Sequence, residues 1–305
     1  MIRFGAIADV QYADRDDAIG RSYRASIGKF LEAAGAFAAE KVPFVLQLGD
    51  ATDGGLKNYL AVQELLDVSE KAGVVWRHTL GNHDWGVPDE RKKSVPADFN
   101  AGNNGYYDFT VVDPDDATNR WRFVVLNGNE ISEYAASTDA ERAEAKRLRE
   151  ASRLPSGDLP ASWNGAVSDA QLRWLDERLA DAEKNGEKAI VCSHFPLYAQ
   201  SGSLDRRGAA AKLLNLDVYF AALGVSTWNG PAILEILDRH SCVKAFFAGH
   251  LHEGGFGVRK NVAHVTFRGV VEARPNAFAF VELRSDRIIV DGRGDQPSYE
   301  HCFDV

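Results

Sequence analysis

Seven side chains suited to holding a metal follow directly on apolar runs in this chain. Asp9 and Gln11 follow Ile2 to Ala8, Asp50 follows Phe44 to Leu48, Asn82 follows Val74 to Leu80, His194 follows Lys188 to Cys192, and His250 and His252 follow Val243 to Ala248. Carboxylate, amide and imidazole donors without thiolate suit two divalent ions such as Mn, Fe or Zn. In such sites the ions lie ~3.5–4 Å apart and share a carboxylate. Asp50 is the candidate bridge, because Phe44-Val45-Leu46-Gln47-Leu48 runs straight into Gly49-Asp50 and then Asp53-Gly54. Singly, each motif has an ordinary reading: Gly81-Asn82-His83-Asp84 as a turn, His250-Leu251-His252 as one face of an edge strand. Their common place at strand ends points to a site.

Such donors need strands to deliver them. The polar pair Asp9 and Gln11, at i and i+2, shares one face of a strand. Ile27, Phe30, Leu31, Ala34, Phe37 and Ala38 recur at helical spacing within Arg21 to Glu40 before Pro43 breaks the pattern, so the N-terminal part reads as a βαβ unit with Asp9 and Asp50 at carboxyl ends of strands. A helix over Asn58 to Lys71 and a strand over Val74 to Leu80 follow. Tyr106 to Val112 and Trp121 to Leu126 read as an antiparallel pair. Ser132 to Arg153 reads as a charged, solvated surface helix, with a loop from Leu154 to Trp163; a substrate-covering lid is the alternative reading of this stretch. Ser168 caps a helix running to Lys184, with Gln171 as its capping-box partner. A loop containing Gly202 and Gly208 leads to a helix over Pro231 to His240. Gly257 to Phe267, Ala277 to Leu283 and Ile288 to Asp291 read as antiparallel strands. No repeat or linker divides the chain, so a single domain over 1–305 with an insertion at 130–166 is expected.

Composition narrows the possible partners. The net charge is -9, and the 35 Lys and Arg residues are scattered, which argues against nucleic acid or an anionic membrane as partner. A phosphorylated small molecule remains compatible, because bound dications would reverse the field in one cleft. The three cysteines show no disulfide framework and fit a reducing cytoplasm, with Cys192 and Cys242 as small buried hydrophobes. No apolar run approaches the ~20 residues needed to cross a bilayer, and no charged-then-apolar leader precedes Ile2, so neither membrane insertion nor secretion is expected.

The motifs together resemble those of the calcineurin-like metallophosphoesterases, and within them the manganese-dependent ADP-ribose/CDP-alcohol diphosphatases. The resemblance rests on Ile7-Ala8-Asp9-Val10-Gln11-Tyr12-Ala13-Asp14, Leu46-Gln47-Leu48-Gly49-Asp50 and Ser193-His194-Phe195-Pro196. It is extended by Trp228-Asn229, Phe246 to Gly255 and Gly269-Val270-Val271-Glu272. It implies a four-layer αββα sandwich of two mixed sheets with a dimetal site at one edge. Asp9, Gln11, Asp50 and His252 would hold one ion, and Asp50, Asn82, His194 and His250 the other. Gln11 stands where His is more usual; as a neutral oxygen donor it biases that position toward a hard ion such as Mn²⁺.

The resemblance also implies in-line attack on phosphorus by a hydroxide bridging the ions. His83 would protonate the leaving oxygen, with Asp53 or Asp84 accepting its other ring proton. Arg21, Tyr23 and Arg24 match a basic and aromatic run of the family and are candidates for touching phosphate or base; a helix-start salt bridge is the alternative. His78, His240, His264 and His301 read as structural. The substrate implied is a nucleoside diphosphate linked to a small moiety. The nucleotide pocket is expected among Gln11 to Arg24, Asn127 to Trp163 and Tyr198 to Asn229. A cyclic-nucleotide or general phosphodiesterase is the alternative activity, and a non-catalytic interaction scaffold the alternative class.

Overall fold

Among the described residues, twelve strands form two six-stranded sheets that share one apolar filling, with helices on their outer faces. The computed structural model describes residues 1–154, 157–198 and 226–304. The first sheet comprises β1 (Ile2–Ile7), β2 (Val45–Gln47), β3 (Trp76–His78), β12 (Ala277–Leu283), β13 (Arg287–Gly294) and β14 (Tyr299–Cys302), in the spatial order β14-β13-β12-β1-β2-β3. The second comprises β4 (Tyr107–Asp113), β5 (Asp116–Val125), β8 (Lys188–Cys192), β9 (Val243–Ala248), β10 (Gly255–Arg259) and β11 (Val262–Thr266), in the order β10-β11-β9-β8-β5-β4. A short pair, β6 (Ile131–Ser132) and β7 (Gly165–Ala166), lies apart.

Period-two alternation decides which side chains fill the middle. Ile2, Phe4 and Ala6 of β1 meet Trp121, Phe123 and Val125 of β5 and Phe247 of β9 in the central cluster, while Ile7 faces the other way. Phe4, Phe44 and Phe123 pack at ring distances of 4.8 to 5.3 Å. Each such buried ring contributes roughly 1.5–3 kcal/mol. Outside the first sheet lie α1 (Ser26–Ala39) and α2 (Leu56–Lys71), burying Phe30, Phe37, Tyr59 and Leu66. Outside the second lie α4 (Asp169–Lys184) and α5 (Gly230–Arg239), burying Leu175, Leu179, Leu234 and Leu237. The result is the expected αββα sandwich of two mixed sheets. A further helix, α3 (Asp139–Ala151), belongs to the 130–166 segment with β6 and β7.

Several local expectations shift. The charged helix begins at Asp139 instead of near Ser132, because Thr138 and Glu141 close a capping box there and fix the first turn. Ser168 caps α4 through the Gln171 amide, but the Gln171 side chain donates to the carbonyl of Asn127 and to Glu130, so no reciprocal box forms. The stretch read as antiparallel strand from Gly257 to Phe267 is a tight hairpin whose second arm, β11, runs parallel to β9. The loop with Gly202 and Gly208, and most of the Tyr198 to Asn229 stretch, lie outside the described residues. Among the described residues no helix is long and apolar enough to cross a membrane.

Candidate metal centre and active site

The carboxyl ends of β1, β2 and β3 bring Asp9, Gln11, Asp50 and Asn82 to one edge of the first sheet; those of β8 and β9 bring His194, His250 and His252 to the same edge of the second. The seam is held by short links. His194 donates from Nδ1 to the Leu48 carbonyl at 2.8 Å, which leaves its Nε2 3.3 Å from Asp50 Oδ2. The His250 backbone N–H donates to Asp9 Oδ2 at 2.9 Å. Gln11 Nε2 donates to Asp50 Oδ2 at 2.9 Å, and the His83 backbone N–H donates to Asp50 Oδ1 at 2.8 Å. Asp50, His194 and His250 offer ligand atoms all within 4.8 Å of one another.

Backbone strain marks the same place. Asp9, Gln11, Asp50 and His250 have positive φ, at 51, 42, 53 and 70°. Each such residue costs of order 1–3 kcal/mol and persists only where its surroundings over-determine it. Gly49 turns with φ +94°, and a Cβ there would collide with the His194 ring. At Gly81 a Cβ would collide with Asp50. These two glycines let β2, β3 and β8 converge on one carboxylate.

The donors fit divalent ions. Gln11 Oε1, Asn82 Oδ1 and His194 Nε2 are buried acceptors or lone-pair nitrogens without a hydrogen-bond partner, and buried polar atoms are normally satisfied. Burial opposes charge on Asp50, yet His194, His83 and His250 hold its carboxyl well below the usual range. Burial opposes a proton on His194 too, but Asp50 outweighs it and raises the pKa to about 9. His252 is likewise raised to about 9 against burial, by Asp9 and Glu272. Such a site favours positive charge, and metal ions would displace the protons.

His83 stands at the rim, with Nδ1 3.2 Å from Asp53 Oδ1 and Nε2 4.0 Å from Asp50 Oδ2. The two acids considered as its partner separate cleanly. Asp84 accepts the backbone N–H groups of Gly81 and Asp50 at 2.9 Å on one oxygen and those of Ala51 and Thr52 on the other. It is not on the His83 ring; it staples the loop after β2 to the loop after β3. Burial and the Asp50 charge push it up to about 7. Asp84→Asn would turn an amide N–H₂ against backbone donors and leave at least one of them unsatisfied. It is expected to lower stability by about 1–3 kcal/mol, read as a fall in denaturation midpoint.

Two other candidates are also corrected. Tyr23 is 1% exposed, packed with Ala13 and Val271, and so cannot reach a substrate. Arg24 pairs with Asp14 and Asp16 on the surface. Arg21 lines the cavity over these donors and donates from Nε to Glu272 Oε1 at 3.1 Å. Glu272 Oε1 is also 2.8 Å from His252 Nδ1, fixing the ring so that Nε2 faces Asp9 at 3.5 Å. Burial works against its charge, but His252 and Arg21 hold Glu272 down to about 2. Such a carboxylate behind a ligating imidazole orients it and raises its basicity. Glu272 had no role in the sequence reading; its motif was visible, but nothing local ties it to a histidine twenty residues earlier.

The four remaining histidines hold other places. His78 and His264 are buried and lowered to about 3 by that burial. His240 sits between Asp176 and Glu183, and His301 bonds the Asn261 carbonyl. Cys192 and Cys242 are buried and unbridged.

Carboxylate, amide and imidazole donors gathered from two sheets onto a shared aspartate, with a histidine at the rim, define a metal-dependent phosphate-ester hydrolase. The chain belongs to the calcineurin-like phosphoesterase family, whose model matches residues 2–254. It is 31% identical over 330 residues to the manganese-dependent ADP-ribose/CDP-alcohol diphosphatase of Oryza sativa subsp. japonica, covering 100% of this chain and 95% of that one. It is 29% identical to the protein of the same name from Homo sapiens, covering 97% and 91%. A crystal structure of a dimetal phosphatase from Danio rerio superposes with TM-score 0.79 at 25% identity, over 99% of both chains.

Proposed function

We propose that this chain hydrolyses the phosphoanhydride of nucleoside diphosphate-linked small molecules, ADP-ribose and CDP-alcohols among them, with two manganese ions. The observation that carries the substrate reading is the end-to-end likeness to relatives that bear that name. Gln11, a weaker donor than imidazole, supports a hard, exchangeable ion. The ions would be held by Asp9, Gln11, Asp50 and His252 on one side and by Asp50, Asn82, His194 and His250 on the other. They would supply an activated water and neutralise charge on the phosphoryl oxygens. His83 would donate a proton to the leaving oxygen, with Asp53 keeping its Nδ1 occupied. Arg21, on the cavity wall, would meet a phosphate.

The organic half needs a different surface. The cavity over the site, about 370 Å³, has Tyr134 and Trp163 on its wall, 36% and 46% exposed. Both come from the 130–166 segment, which we read as a substrate-covering insertion. Their faces suit a nucleobase, and stacking contributes ~1–3 kcal/mol per base. Trp163→Ala is expected to raise KM for ADP-ribose about tenfold with little change in kcat, measured by steady-state kinetics. The free thiols fit a reducing, cytoplasmic setting. A panel with manganese comparing ADP-ribose, CDP-choline, cyclic AMP and bis-p-nitrophenyl phosphate tests the activity. Preference for cyclic AMP over both diphosphates would remove this reading in favour of a cyclic-nucleotide phosphodiesterase.

A further inference from the structure

Arg15 sits in the acidic run Asp14-Arg15-Asp16-Asp17, yet its own ion pair is with none of those neighbours. Asp14 is taken by Arg24 and Lys57, at 2.8 and 2.7 Å, Asp16 by Arg24, and Asp17 by the Ser22 hydroxyl at 2.8 Å. The Arg15 side chain, itself 53% exposed, instead pairs with Asp53, whose side chain is 2% exposed. The Arg15 Cζ lies over the buried Tyr23 ring, 3.8 Å from the centre. The backbone closes the same loop: Asp53 N–H donates to the Tyr12 carbonyl at 2.9 Å. Asp53 Oδ1 then lies 3.2 Å from His83 Nδ1, at ion-pair distance and with no other hydrogen-bond donor on that oxygen.

We infer that Arg15, shelved on Tyr23, is a positioning residue that fixes the Asp53 carboxylate and through it the tautomer and orientation of His83. A buried carboxylate is costly without a countercharge, and a planar guanidinium stacked on a ring supplies one with little freedom to wander. Burial raises the Asp53 carboxyl on balance, with His83 and then Arg15 working against it; without Arg15 the neutral acid, which would hold the His83 Nδ1–H poorly, gains further ground. The buried aromatic that reads as a substrate contact in the sequence thus stands three contacts behind the proton donor, through Arg15 and Asp53.

The inference rests on His83 donating to the leaving group, as proposed above, but its test does not depend on which nucleotide is the substrate. Two aryl phosphodiesters separate the effects: diphenyl phosphate, whose leaving group is basic and needs a proton, and bis-p-nitrophenyl phosphate, whose leaving group departs without one. Arg15→Ala is expected to lower kcat on diphenyl phosphate about 10–100-fold, the range for losing an outer partner, and to change bis-p-nitrophenyl phosphate less than about threefold. KM should hold on both, and Arg15→Lys should recover part of the loss. Arg15→Ala should add little to Asp53→Asn, since both remove one linkage. Independently, ¹⁵N-histidine spectra of the magnesium-loaded protein, with His83 assigned by its loss in His83→Gln, should show the Nδ1–H tautomer depleted in Arg15→Ala. An equal fall on both esters, no fall on either, or an unchanged His83 tautomer would each overturn the role. If neither ester is turned over, the spectrum decides alone, and failure of the nucleotide panel leaves that readout untouched.

Discussion

Asp50→Asn is expected to abolish turnover, by at least about 10³-fold or ~4 kcal/mol of transition-state stabilisation, while the protein stays folded and loses both metals. The geometry explains the combination. Asp50 alone lies within reach of His194 Nε2, Gln11 Nε2 and the His83 backbone N–H, so it is the atom pair on which the two donor sets meet. Asparagine keeps the shape and can still accept the His83 N–H with its amide oxygen. Its amide nitrogen would face Gln11 Nε2, and Gln11 can turn its own amide to answer. What is lost is the negative charge that draws cations between His194 and His250. Metal content per chain, measured beside circular dichroism and a substrate assay, checks each part. Full turnover by this variant, or retention of both ions, would sink the bridging assignment.

His83→Ala should behave differently. It is expected to keep both metals and lose ~10²–10⁴ in kcat. The backbone N–H at position 83 still supports Asp50, because that bond does not involve the side chain. Only the imidazole beside Asp53 disappears. The loss should fall mainly on kcat, since a proton given to the leaving oxygen matters in the transition state more than in binding. A variant that lost its metals would show His83 to be a structural support of the site, and unchanged kcat would remove it from the chemistry. Run side by side, the two variants separate holding the ions from delivering a proton.

The sequence made the site's outline visible because strands announce themselves and each apolar run ends where its polar residues begin; the pleat did not decide their facing, since Asp9 and Gln11 lie past the end of β1 with left-handed backbones instead of on one strand face. Hence Asp9, Asp50, Asn82, His194, His250 and His252 could be placed together before any coordinates. Partners that act through a third dimension were less legible. Asp53 and Asp84 both flank the Gly-Asn-His turn, and only the fold shows that backbone amides consume Asp84. Tyr23 looks like a ligand contact in a line of residues because amphipathic rings serve surface and core alike. Glu272 and the parallel course of β11 depend on crossovers, which carry no local periodicity. The late start of α3 was readable in principle from the Thr138 to Glu141 spacing, but the alanine-rich run before it drew the boundary upstream.

The left-handed residues and the two-sheet origin of the donors have a consequence for how this chemistry can be inherited. Asp9, Asp50 and Asn82 hang from one sheet, His194, His250 and His252 from the other. The first sheet is built from both ends of the chain, β1 to β3 and β12 to β14, so a truncation at either end breaks the layer that carries Asp9, Asp50 and Asn82. Nor could the donors be moved piecemeal to another scaffold: Asp9, Gln11, Asp50 and His250 hold left-handed backbones, which persist only where their surroundings over-determine them. The catalytic unit is therefore the whole sandwich, and it can change its substrates through its loops far more readily than it can change its size.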